Sequence, residues 1–232
     1  VISSLLPIAV GILGAALALN WTVAAAVRRS FKGLASDAWG LEPLDIDEEP
    51  EPLARAAEPA GWADKNGFEW DGMYALEVPN NPTAYLAVWR LPPGHTYFVL
   101  YLYGDQEVFE FVTVFDEDRK IAVATNGSSQ SLLHRSKPPA FKQAFVGLSH
   151  DDLFARHNDT VGTLATRWGI APKASSTPVA ELIPRSVRDE VHRIMARRGW
   201  ALTSGYRYFI GRHLDANRPA RIPATAPPSI TP

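Results

Sequence analysis

The chain has 232 residues, 46% hydrophobic and 21% charged, with a formal net charge of −2 and no cysteine. That length suggests one or two domains. The absence of cysteine excludes disulfides, thiolate metal sites and cysteine nucleophiles, and the near-neutral balance lacks the basic excess that nucleic-acid binding requires.

From Ile2 to Val27 no residue is charged. A helix needs about 20 apolar residues to cross the hydrocarbon core, so the expectation is a single N-terminal transmembrane helix over residues 1–30. Trp21 is a candidate for the aromatic belt, and Arg28, Arg29 and Lys32 follow the apolar run directly. Basic residues at a helix end favour the cytoplasmic side. The expected topology is therefore single-pass in a bacterial inner membrane, with the N-terminus outside and the soluble domain in the cytoplasm. Gly11 and Ala15 lie four apart, as do Gly14 and Ala18. Small residues at that spacing let a second transmembrane helix approach closely.

Residues 31–61 are expected to form a juxtamembrane segment and linker. "EPLDIDEEPEPLARAAEPA", residues 42–60, is acidic and rich in proline, and without hydrophobic periodicity it reads as an extended tether.

Residues 62–216 are expected to form an α+β soluble domain. "FEWDGMYALEV", "TAYLAVWRL", "TYFVLYLYG", "EVFEFVTVFD" and "KIAVATN" are short runs rich in β-branched and aromatic residues, separated by Pro-Asn-Asn-Pro, Pro-Pro-Gly, Gly-Asp and Asp-Glu-Asp turns. Short connections favour antiparallel neighbours, so a five-stranded antiparallel meander is expected. The run from Tyr97 to Tyr103 is apolar on both faces, as in a strand covered on both sides. Phe98, Leu100 and Leu102 are candidates for a partner interface; the alternative is cover by the chain's own helices on one side and the linker on the other.

Two helices should follow. Ser149 with Asp152 three residues on is a capping-box arrangement. Leu153, Phe154, His157, Val161, Leu164 and Trp168 form an apolar stripe, and Gly169 closes the helix. The second helix is placed between Pro184 and Gly199, with Val187, Val191, Ile194 and Met195 inward. "WALTSGYRYFIGRHL" is expected to be a short C-terminal hairpin, and residues 217–232 a Pro-rich extended tail with nothing to bury.

His150, Asp151, Asp152 and His157 are the best metal-like cluster, but the two histidines are seven apart. A zinc pair on a helix sits at i and i+4, and acids in a first turn already suit the helix dipole. His192 with Asp189 is an ordinary helix-face arrangement. No P-loop, G-x-S-x-G or G-x-G-x-x-G is present. No catalytic residue, metal or cofactor is assigned.

"FVTVFDEDRKIAVATNGSSQS" followed by "KQAFVGLSHDDLFARH" resembles a family of bacterial membrane-anchored α+β proteins with no known function. In these a strand pair leads to a Gln-x-Phe-x-Gly turn and a helix ending in His; here that is Gln143, Phe145, Gly147 and His157, with Val146 where proline is expected. The resemblance spans about a quarter of the chain and implies a bacterial, membrane-tethered α+β domain. The functional expectation is a non-catalytic accessory subunit of a larger membrane complex, photosynthetic or respiratory, with other integral-membrane subunits and the lipid bilayer as partners and no nucleic acid. The alternatives are a membrane-tethered ligand-binding or sensory domain, and a metal- or His-dependent enzyme.

Overall fold

A computed structural model describes residues 2–45, 50–79, 81–132 and 138–226, with side chains of the first helix described from Leu17 onwards. The fold is α+β, and one mixed sheet organises it. α1 (Ile2–Leu34) precedes β1 (Leu41–Pro43) and α2 (Pro50–Lys65). β2 (Glu69–Leu76), β3 (Ala84–Leu91), β4 (Thr96–Tyr103), β5 (Gln106–Asp116) and β6 (Ile121–Asn126) fall on the five apolar runs. After a 3-10 turn (Ser129–Leu132), β7 (Ala140–Ala144) joins β6 in parallel. The sheet order is β1 through β7 in sequence, antiparallel except at that last pair. The expected five-stranded meander is thus corrected to seven strands. β1 has three residues and β7 five, too short for alternation to mark them.

The first helix is also corrected. Among the described residues no helix is long and apolar enough to cross a membrane. From Leu17 onwards α1 is amphipathic: Ala24 and Phe31 are buried, while Arg28, Arg29 and Lys32 are exposed. Phe31 stacks on Trp200 with centroids 5.1 Å apart and packs with Val191 and Ile194. One stripe is therefore committed to protein rather than to lipid. The side chains of Gly11, Gly14 and Ala15 lie outside the described residues; Ala18 and Trp21 are exposed.

The acidic segment is helical where a tether was expected. Pro50 and Pro52 sit in the first turn of α2, where a missing N–H costs nothing, and Pro52, Ala56, Pro59 and Ala63 make a buried stripe at helical spacing. α3 (His150–Trp168) has Ser149 as N-cap, accepting from the Asp152 amide at 3.1 Å, and Gly169 as C-cap. α4 (Val179–Met195) begins five residues before Pro184, which lies inside it. The expected C-terminal hairpin is instead helical: α5 (Ser204–Tyr206), a π turn (Arg207–Gly211) and α6 (Arg212–Asp215) run on without a break.

Period-2 alternation divides the sheet residues between two layers. Phe98, Phe111, Trp89 and Leu153 lie in one core, with α2 and α3 above it. Trp62 of α2 sits in that layer, edge-on to Phe98 at 5.1 Å and to Phe111 at 5.4 Å. Leu86, Val88, Tyr97 and Val99 form the opposite face, covered by Val179 and Leu182 of α4. Phe98, Leu100 and Leu102, expected at a partner interface, are buried under the chain's own elements. That expectation is corrected: α2 supplies the cover.

Candidate functional site

α4 does not lie flush on the sheet. Towards β1–β3 its leucine and valine pack on large side chains. Towards β5–β7 the face turned to α4 carries Val112, Val114, Ala122, Ala124 and Ala140, in register across the three strands. Alanine at three of these positions leaves room that no other side chain fills. A partly open cavity of about 180 Å³ results, roofed by Leu182, Ile183, Ser186 and Val187. Protein interiors normally contain few voids larger than a water molecule, so this partly open chamber is the candidate site.

Charge rings the chamber. Lys120 Nζ meets Asp189 Oδ2 at 2.7 Å, Arg185 Nη2 meets Glu117 Oε2 at 2.8 Å, and the Lys142 ammonium is paired with the Glu190 carboxylate. Inside, the Tyr101 hydroxyl donates to Glu110 Oε2 at 2.8 Å. Burial alone lowers the basicity of Lys142, but Glu190 and Glu110 outweigh it and hold the ammonium above its ordinary pKa. Burial and the Glu110 charge push the Tyr101 phenol well above its ordinary value. Burial raises Glu117, but hydrogen bonds from Ser175, Thr177 and Arg185 prevail and its carboxyl is lowered. At neutral pH the amine is therefore charged and the phenol neutral, so neither is a nucleophile or a base. The chamber can hold and orient a molecule between an apolar floor and a charged rim.

The histidines lie elsewhere. His157 is fully buried on the opposite face of the sheet. Its Nε2 lies 2.7 Å from Thr113 Oγ1 and its Nδ1 2.9 Å from Thr125 Oγ1. Gln143 donates to Thr125 at 2.8 Å and accepts from Thr160 at 2.9 Å. Burial pushes the imidazole down to about 3, so this is a neutral structural network. Asp151 accepts from the Trp62 indole at 2.8 Å, and Asp152 is bound to Ser149. His150 packs edge-on to Phe109 at 4.2 Å, with its buried Nε2 lacking a hydrogen-bond partner. The four members of the metal-like cluster thus have separate roles, and among the described residues no three His, Asp or Glu converge on a metal position. His192 is exposed on α4, with Asp189 committed to Lys120.

Tyr101, Glu110, Lys142 and Glu190 were not singled out in the sequence. One signal was present: Glu110 occupies an inward position of "VFEFVTV", where alternation demands an apolar residue. The arrangement defines an α+β domain with one small amphipathic chamber between sheet and helix. Comparison with protein-family models, curated proteins and solved structures gives no match.

Proposed function

We propose that the protein is a non-catalytic small-molecule-binding domain whose ligand lies between the sheet and α4. The observation that carries this reading is the alanine-floored, partly open chamber of about 180 Å³, roofed by α4 and rimmed by ion pairs. A buried apolar cavity of roughly 150 Å³ accepts a benzene-sized guest, so the ligand is a single-ring or branched-aliphatic molecule with one polar group. Its body rests on Val112, Ala122 and Ala124; its polar group reaches Tyr101, Glu110 and Lys142. Exposed ion pairs are each worth about 0–1 kcal/mol, so parting those at the rim of the partly open chamber opposes entry little. Ligand binding is better supported than an accessory-subunit role, because the strand face expected to meet a subunit is covered within the chain.

Ligand-observed NMR with phenol, benzylamine and phenylacetate tests it. At least one probe should show saturable binding, and Ala124→Leu, which fills the chamber, should abolish that binding while the melting temperature holds or rises. Absence of binding by all three probes, or binding unchanged in Ala124→Leu, refutes the proposal.

A further inference from the structure

A second surface, independent of the chamber, sits where the C-terminal helices cross α1. Asn20 Nδ2 donates to the Leu202 carbonyl at 3.2 Å. Gly205 fits against α1 only because it has no Cβ, which would lie 2.0 Å from Asn20 Oδ1. Within about one turn of this crossing, large apolar side chains point outwards. Leu17, Leu19 and Trp21 do so on α1; Leu202, Tyr206, Tyr208, Phe209, Ile210 and, beyond them, Leu214 do so on the C-terminal segment. All are between 41% and 66% exposed. Three consecutive exposed apolar residues, Tyr208 to Ile210, are a fault in a free surface unless something covers them.

The surrounding charge indicates what does. Between residues 197 and 221 the sequence has six arginines and one acid, in a chain whose net charge is −2. The acid, Asp215, is paired with the largely buried Arg207 at 2.6 Å. Arg212 lies over the Tyr208 ring at 4.3 Å, joining cation and aromatic in one unit. On α1, Arg28, Arg29 and Lys32 extend the same sign. One end of the molecule is thus basic and aromatic, and the remainder is acidic.

We propose that this end docks on the surface of an anionic lipid bilayer, with Trp21, Tyr206, Phe209 and Ile210 in the headgroup layer. Amphipathic rings beside arginines suit that layer. A surface of uniform negative potential attracts the basic end and repels the acidic body, which fixes the orientation. The only acid in this segment, Asp215, is already neutralised, so nothing in it opposes the approach of a negatively charged bilayer. The docking needs no helix that spans the membrane.

The chain has no cysteine, so a single introduced one takes a polarity-sensitive fluorophore uniquely. The full chain carrying Ile210→Cys is titrated with vesicles of phosphatidylcholine containing phosphatidylglycerol, and with phosphatidylcholine alone. The control is Asp118→Cys, at the other end of β6 from the 3-10 turn whose Leu132 carbonyl receives Arg207. The label at 210 should shift to the blue with anionic vesicles and the label at 118 should not. Arg198→Glu with Arg218→Glu should raise the half-maximal lipid concentration about thirtyfold or more, and 0.5 M salt, on the order of a 4–5 Å screening length, should act in the same direction. No shift at 210, equal shifts at 210 and 118, or indifference to both the charge reversal and salt overturns the proposal. So does a shift at 210 that appears without lipid as protein concentration rises, which identifies a second copy as the occupant.

Discussion

His157 shows how one residue's environment, rather than its type, decides its role. Its position in the apolar stripe of α3 was legible from spacing. Its partners were not, because Thr113, Thr125 and Gln143 come from three strands whose register no local pattern reveals. The same distance in sequence hid the chamber: Glu110 and Lys142 acquire meaning only when β5, β6 and β7 align. The folded imidazole titrates at about 3 and the unfolded one near 6.5. Above about pH 6.5 both states are neutral and the stability is fully present. Below it the unfolded chain takes up a proton that the folded chain refuses, so stability falls by up to about 1.4 kcal/mol per pH unit. His150 and His95, also lowered by burial, act in the same direction. Urea midpoints measured from pH 7.5 to 5.0 should decline, and the decline should be shallower in His157→Gln. Equal slopes for the two proteins contradict this account.

At the scale of elements, legibility followed length and punctuation. α3 was readable end to end because its caps and stripe agree. α2 was hidden by its three prolines, two in the first turn, although its buried residues keep helical spacing. The C-terminal segment was misread because aromatic residues in "YRYFI" favour a strand, whereas the crossing with α1 holds it helical. α1 itself is fixed by close approach as much as by apolar area. A Cβ on Gly33 would lie 2.1 Å from the Pro79 carbonyl oxygen, a backbone atom that cannot rotate away. Gly33→Ala should therefore destabilise the fold by about 1–3 kcal/mol. Gly40→Ala, with open space around it, should stay within about 0.5 kcal/mol of the parent. Chemical denaturation of the two variants side by side decides the point; an equal response removes close packing as the reason for Gly33.

At the scale of the molecule, the chain closes the side of the sheet it leaves last. β7 ends the sheet, and the apolar side chains of β6 and β7, Ile121, Val123 and Phe141, turn towards α3. α3 alone does not cover them. The segment after α6, expected to bury nothing, completes the layer. Asn217 donates its amide to the Ala144 carbonyl at 2.8 Å and accepts from the Val146 amide at 2.8 Å. The Ala220 amide donates to Gln143, tying the segment to the buried His157 network, and the Trp168 indole donates to the Pro223 carbonyl at 3.1 Å. Between these ties Ile222 is buried against Phe141 and Leu164. Proline content suggested a free tail, but these hydrogen bonds, one more from Arg167 to the Ile222 carbonyl and one buried isoleucine make it part of the core. Ile222→Ala should cost about 2–5 kcal/mol, a fall in Tm on the order of 10 °C for a chain of this size. Measured against a chain shortened after Ala226, which keeps these ties, one shortened after Ala216 should melt lower, and lower than Ile222→Ala, because it also loses the ties to Gln143 and Trp168. If the two truncations melt together, the segment is a passenger and the sheet edge is closed by α3 alone.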